Sequence, residues 1–244
     1  MKIILIFLSL LFTNIVHAAF WWTKIEVIDP YLSSVVPIKV AFDKKLQDVP
    51  SPTVVLAHGC NGINTEDYQW VSLLFKAGFN VVIPDSLGAR NLPTTCNSNK
   101  LTFAQRGEDI NAMAAWVKQQ SWHRGAVIGI GFSHGAASVL EAGIISNTKL
   151  DGVIAYYPKC NYSYHHVKVP SQIHIGSLDT WTPSSLCESF KDLNKLQQVF
   201  VYDGAYHSFD RSYNNARWGH VTQYSATATE QATKTTLEFL SNYK

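Results

Sequence analysis

The sequence predicts an α/β fold: a mostly parallel central sheet flanked by helices, in a single domain. Three observations lead there. Short apolar runs alternate with helical patterns from about Thr53 to the end of the chain, as parallel strands joined by crossover helices require. One such run, residues 126–130, passes straight into Gly131-Phe132-Ser133-His134-Gly135 and then into a helix-like stretch. Finally, the 244-residue length suits one domain with a sizeable core, and no internal repeat or low-complexity linker divides it.

Taken in order, the elements begin with Met1-Lys2 and an apolar run over residues 3–12, followed by Val16-His17-Ala18. This pattern reads as a cleaved secretory signal over residues 1–18. An uncleaved anchor fits less well, because the apolar run is about half the length of a spanning helix. No later run reaches spanning length, so the mature domain, residues 19–244, is expected to carry no stable membrane anchor and to be periplasmic or secreted. Residues 24–27 and 38–42 could form an antiparallel start. Strands are expected at 53–56, 80–83, 126–130, 153–157, 173–176 and 199–202. Helices are expected at about 68–77, ending at Gly78; at about 103–120, where Ile110, Met113, Ala114 and Val117 recur at helical spacing; after Ser133; and at about 227–242.

Lysine and arginine number 20 against 18 acidic residues, a net charge of +2 that falls to +1 if Lys2 leaves with the signal. Phosphate binding draws on clustered basic residues, which this chain does not show, so no nucleic-acid partner is expected.

The pentapeptide around Ser133 has the form of a nucleophile elbow. A strand that turns abruptly into a helix can hold a hydroxyl proud of the sheet edge only if the residues two before and two after it lack a bulky Cβ. Serine needs a base to take its proton. His207 lies in the loop after the strand at 199–202, and Asp179 lies three residues past the strand at 173–176, in the chain order Ser, acid, His. Asp203 and Asp210 are the fallback acids. An acyl-transfer site also needs backbone N–H donors for an oxyanion. One is assigned to His134, the other to Cys60 in His58-Gly59-Cys60-Asn61-Gly62, with Gly59 as the alternative.

Cys60, Cys96, Cys160 and Cys187 all lie in the exported part, where disulfides are the leading reading. Four cysteines allow three pairings. If the strands ending at Leu56 and Ile83 are neighbours, Cys60 pairs with Cys96; if the strands at 153–157 and 173–176 are adjacent, Cys160 pairs with Cys187. A thiolate metal site is disfavoured by the wide spacing. His165-His166 looks like a metal pair, but on an extended segment the two rings would point opposite ways, so a surface loop is expected. Trp181, Tyr206, Phe209 and Phe132 flank the proposed triad and belong either to an acyl pocket or to the core.

Together, His58-Gly59-Cys60, Pro84-Asp85-Ser86, the Ser133 pentapeptide, Tyr157-Pro158 with Cys160, residues 179–183 with Cys187, and Gly204-Ala205-Tyr206-His207-Ser208-Phe209 resemble the dienelactone hydrolase family of α/β-hydrolases, its exported members above all. The resemblance implies an α/β-hydrolase fold, no cofactor, and hydrolysis of small esters or lactones. Its namesake enzymes carry a cysteine nucleophile where this chain has Ser133, which shifts the expected activity toward carboxylic esters in general, through an acyl-enzyme. Residues 159–171 leave little chain for a large lid, so small acyl substrates are expected. A peptidase or acyltransferase on the same triad, or an inactive secreted binding protein on the same scaffold, are the alternatives.

Overall fold

Eight strands form one sheet in the computed structural model, which describes residues 20–29, 34–43, 47–98, 100–217 and 219–244. The expected signal segment lies outside the described residues. In chain order the elements are β1 (Phe20–Asp29), β2 (Ser34–Asp43), β3 (Ser51–Ala57), α1 (Thr65–Lys76), β4 (Asn80–Asp85), α2 (Phe103–Val117), β5 (His123–Phe132), α3 (His134–Ile144), β6 (Gly152–Tyr156), β7 (Ser171–Gly176), α4 (Ser184–Glu188), β8 (Gln197–Tyr202), β9 (Asn215–Arg217), β10 (His220–Thr222) and α5 (Ala226–Ser241).

The strand order is β1-β2-β4-β3-β5-β6-β7-β8. β1 pairs antiparallel with β2 and β2 antiparallel with β4, while every pair from β4 onward is parallel. Chain direction along the sheet reverses at β3, and ligands of open α/β sheets bind beyond the carboxyl ends of the strands at such a switch point. The loops that leave β3, β5, β7 and β8 all open at that edge.

Strand periodicity sorts the core into two layers. Val54, Leu56, Ile128, Ile130 and Ile154 face α1 and α5, where Trp70, Leu74, Ala232 and Leu240 meet them. Their chain neighbours Val55, Ala57, Val127, Val153 and Ala155 face α2 and α3, against Ile110, Met113, Val139 and Leu140. Side chains such as Val54, Val55 and Leu56 have no exposed surface, and each full burial contributes roughly 1.5–3 kcal/mol.

Caps explain where the helices depart from the expected bounds. α1 starts three residues earlier than its apolar pattern suggests, because the Asn64 side chain accepts the N–H groups of Glu66 and Asp67 while Asp67 accepts that of Asn64. It stops where Gly78 N–H donates to Phe75 O and Phe79 N–H to Leu74 O, at 3.0 and 3.1 Å. α2 starts as expected on a Thr102–Gln105 capping box but ends three residues early. There Gln119 and Gln120 switch to tighter bonds on Trp116 and Val117. The antiparallel start is longer than expected, with ten-residue strands in full register. The sequence reading did not anticipate α4 or the β9–β10 hairpin; both are too short to show a hydrophobic period.

Candidate active site

β5 delivers Ser133 to the carboxyl edge of the sheet, and α3 leaves immediately after it. Ser133 sits at φ 52°, ψ −113°, a conformation that costs an L-residue about 1–3 kcal/mol. Its N–H is held by Tyr156 O at 2.9 Å. The turn is possible only because its flanking positions are glycine: a Cβ on Gly131 would overlap the Gly135 carbonyl, and one on Gly135 would overlap the carbonyls of Ala57 and His58.

His207 and Asp179 meet Ser133 from the loops after β8 and β7. His207 Nε2 lies 3.0 Å from Ser133 Oγ, and His207 Nδ1 lies 2.7 Å from Asp179 Oδ2. Asp179 is 3 % exposed and His207 1 %, so neither contact is diluted by solvent. The backbone N–H groups of Trp181 and Thr182 donate to Asp179 Oδ1 at 2.9 and 2.8 Å, and the Thr182 hydroxyl donates to Oδ2 at 2.7 Å. With donors on both of its oxygens the carboxylate stays ionised and accepts a hydrogen bond from Nδ1–H of the imidazole, which leaves Nε2 unprotonated toward the serine hydroxyl.

The residues expected to supply backbone donors, His134 and Cys60, come from the start of α3 and the loop after β3. His134 is the first residue of α3, where an N–H has no carbonyl one turn back. Cys60 follows β3, and its own carbonyl accepts Thr95 N–H at 2.9 Å and the Thr94 hydroxyl at 3.1 Å. Both residues line, with Ser133, a cavity of about 490 Å³ whose other walls include Phe103, Trp181 and Lys159.

Residues 40–244 match the dienelactone hydrolase family. The chain belongs to that family. Membership makes it a hydrolase acting on carboxylic esters. No curated protein matches it by sequence. Among solved structures it is similar to a Klebsiella pneumoniae protein assigned as a dienelactone hydrolase, with a TM-score of 0.71 at 18 % identity over 92 % of this chain and 100 % of that one. It is similar also to the Pyrococcus furiosus esterase Pf2001, at TM-score 0.67 and 18 % identity over 92 % and 93 %. The dipeptidyl peptidase 4 of Porphyromonas gingivalis gives 0.67 at 17 %, with 92 % of this chain against 35 % of that one. At such identities these likenesses speak for the shared α/β-hydrolase fold alone.

Around this family fold the remaining sequence-derived candidates sort clearly. The disulfides join Cys60 to Cys96 and Cys160 to Cys187, with Cα atoms 4.9 and 5.2 Å apart. The strand adjacencies behind those pairings, β3 with β4 and β6 with β7, are present. Asp203 is exposed and takes the Ser177 hydroxyl, while Asp210 is committed to Trp70 Nε1 and the Tyr157 hydroxyl, so neither contacts the His207 ring. Of the flanking aromatics, Trp181 lines the cavity, whereas Phe132 and Phe209 are core. Tyr206 is partly buried. His165 and His166 depart from expectation: they lie on a 3-10 turn, not an extended segment, and their ring centroids approach to 3.7 Å. Among the described residues no group of three His, Cys, Asp or Glu side chains is placed to hold a metal.

Three side chains at the site, Thr182, His58 and Arg106, make contacts that the sequence motifs do not assign. Thr182 was readable in principle, since Asp followed two or three residues on by small or polar residues often folds its carboxylate onto the backbone. His58 and Arg106 were not, because their relation to the site is purely tertiary. Arg106, 1 % exposed, donates to His134 Nδ1 at 3.0 Å and to His58 O at 2.9 Å.

Burial, reinforced by Arg106, lowers the His134 pKa to about 3, and burial alone lowers that of His174, stacked between Tyr156 and Phe200, to about 3. In the unfolded chain both return to about 6.5, so on acidification that chain takes up protons the folded protein refuses. Stability is therefore full above about pH 7.5 and is lost as the pH falls through 6.5 toward 3. At pH 5 the two rings together cost about 4 kcal/mol, which should lower Tm by about 10 °C. Calorimetry at pH 7.5 and pH 5 checks this, and an unchanged midpoint would contradict it.

Proposed function

We propose that the chain is a serine hydrolase that cleaves small carboxylic esters or lactones through an acyl-enzyme. The single observation that carries this reading is the chain of contacts from Ser133 Oγ to His207 Nε2 at 3.0 Å and from His207 Nδ1 to Asp179 Oδ2 at 2.7 Å. Ser133 Oγ attacks the carbonyl carbon while its proton passes to His207 Nε2, and Asp179 stabilises the imidazolium. The carbonyl oxygen becomes an oxyanion, received by the N–H groups of Cys60 and His134. When the tetrahedral adduct collapses, the C–O bond to the alcohol breaks and His207 returns the proton to the leaving oxygen. Water then repeats the sequence on the acyl-enzyme, releasing the acid and restoring Ser133.

A cavity of about 490 Å³ bordered by Phe103 and Trp181 favours small acyl groups over lipids. We also propose that residues 1–18 are a cleaved signal and that residues 19–244 act as one exported domain. Two disulfides support export, and among the described residues no helix is long and apolar enough to cross a membrane.

The test is a fluorophosphonate, which should label Ser133 stoichiometrically, run beside aryl esters of graded acyl length, a lactone and a peptide amide. Fastest turnover on short-chain esters or the lactone, abolished by the label, is expected. Labelling elsewhere, or turnover that survives complete labelling, would overturn the reading.

A further inference from the structure

Arg106 is a buried cation, 1 % exposed, that forms no ion pair with a carboxylate among the described residues. The acids of its neighbourhood are engaged elsewhere: Asp109 pairs with Arg90 at 2.8 Å and Asp67 with Arg211 at 3.1 Å. Burial lowers the Arg106 pKa to about 10, which leaves it charged at neutral pH. A guanidinium in that position is costly to fold around, and its Nε has no partner among the described residues. Its bonds go instead to two segments that are distant in sequence and adjacent at the site, the His58 carbonyl after β3 and the His134 imidazole at the start of α3.

The His58 ring extends the same device by one peptide. It has no exposed surface, and its Nδ1 lies 2.7 Å from Gly59 O, the carbonyl of the next residue. With Nδ1–H donating there, Gly59 O is drawn toward the ring. In a trans peptide the carbonyl and the following N–H point in opposite directions, and the described chain contains no cis peptide bond. Holding Gly59 O on the His58 ring therefore turns Cys60 N–H the other way, and Cys60 lines the cavity that Ser133 and His134 also line. On the α3 side, the His134 ring is held between Arg106 at Nδ1 and Leu101 O, 3.2 Å from Nε2, which fixes the first residue of α3, directly after Ser133.

We propose that Arg106 and His58 are positioning residues that aim the two oxyanion donors, Cys60 N–H and His134 N–H, by tying the β3 loop and the start of α3 to one buried guanidinium. Neither touches substrate. The inference rests on the serine-hydrolase reading, and goes beyond it by stating what sets the geometry of the donors.

The test uses the full mature chain, with 4-nitrophenyl acetate as substrate and phenylboronic acid, which forms a tetrahedral adduct on a serine, as the probe of the anionic state. Arg106→Met should lower kcat by about 100-fold, as loss of one oxyanion donor does, while KM stays within about threefold. The inhibition constant of phenylboronic acid should rise in parallel with the fall in kcat. Arg106→Lys, which keeps the charge and one donor, should recover part of the loss. If Arg106→Met does not fold, His58→Leu carries the test: it should lose kcat with KM spared, and His58→Asn, whose side-chain amide can still donate to Gly59 O, should recover most of it. Fluorophosphonate labelling of Ser133 should reach completion in every folded variant, only more slowly. Folded, fully labelled variants that keep wild-type kcat, or that lose activity through KM alone, overturn the proposal. Absence of Ser133 labelling in the wild type instead overturns the serine-hydrolase reading beneath it.

Discussion

Ser133→Ala should lower ester turnover by about 10⁴- to 10⁶-fold, since a triad without its nucleophile retains only what the oxyanion donors and binding supply. The fold should survive. Alanine, like serine, is an L-residue and meets the same strain at φ 52°, while Gly131 and Gly135 still provide the close approach that shapes the turn. Ser133 makes no side-chain cap to α3, so the helix loses no hydrogen bond with the hydroxyl. Melting within a few degrees of wild type, combined with near-complete loss of kcat, is the expected pair of results. Retained kcat/KM in a folded Ser133→Ala protein would remove Ser133 from the chemistry. Ser133→Cys sharpens the test, because the same position then carries the nucleophile of the family's namesake enzymes. A thiol in place of Oγ, which lies 3.0 Å from His207 Nε2, can hand its proton to the ring, and activity between that of wild type and Ser133→Ala is expected on activated aryl esters.

The parts of this molecule legible in the sequence are those encoded by local pattern. The parallel strands were readable because both of their faces are buried, which makes each a nearly unbroken apolar run, as at Val54, Val55 and Leu56. The elbow was readable because two glycines are demanded by contacts within a few residues and by the neighbouring strand β3. Chain order and strand ends alone point to Asp179 and His207, the two side chains that converge on Ser133. α1 began early because Asn64 and Asp67 form a cap that apolar periodicity does not register. Arg106 lies in the first turns of α2. Its meaning lies in where α3 and the β3 loop arrive around it, and no spacing within the chain encodes that. The His165-His166 pair misled in the opposite direction: the expectation of diverging rings assumed an extended backbone, and a 3-10 turn brought them together.

Asp179→Asn should lower kcat by about 10⁴-fold while leaving the fold intact, and the reason lies in the two oxygens of this carboxylate. Oδ1 is the acceptor for the backbone N–H groups of Trp181 and Thr182. An asparagine must put its carbonyl oxygen there, because its NH₂ against two N–H donors would leave three buried donors facing one another. Its NH₂ then takes the place of Oδ2, directly opposite His207 Nδ1, which lies 2.7 Å from that oxygen. A donor at that place makes Nδ1 the acceptor and moves the ring proton to Nε2, where it faces Ser133 Oγ and leaves the serine without a base. The same argument ranks the neighbours. Thr182→Val removes one donor to Oδ2 but leaves the tautomer alone, so a loss of about tenfold or less is expected. Asp203→Asn changes an exposed side chain bonded to Ser177 and should keep kcat within about twofold. Measured kcat values for these three variants at one pH, with folding checked by circular dichroism, decide the matter. A nearly silent Asp179→Asn beside a crippling Asp203→Asn would mean that Asp179 is not the group that orients His207.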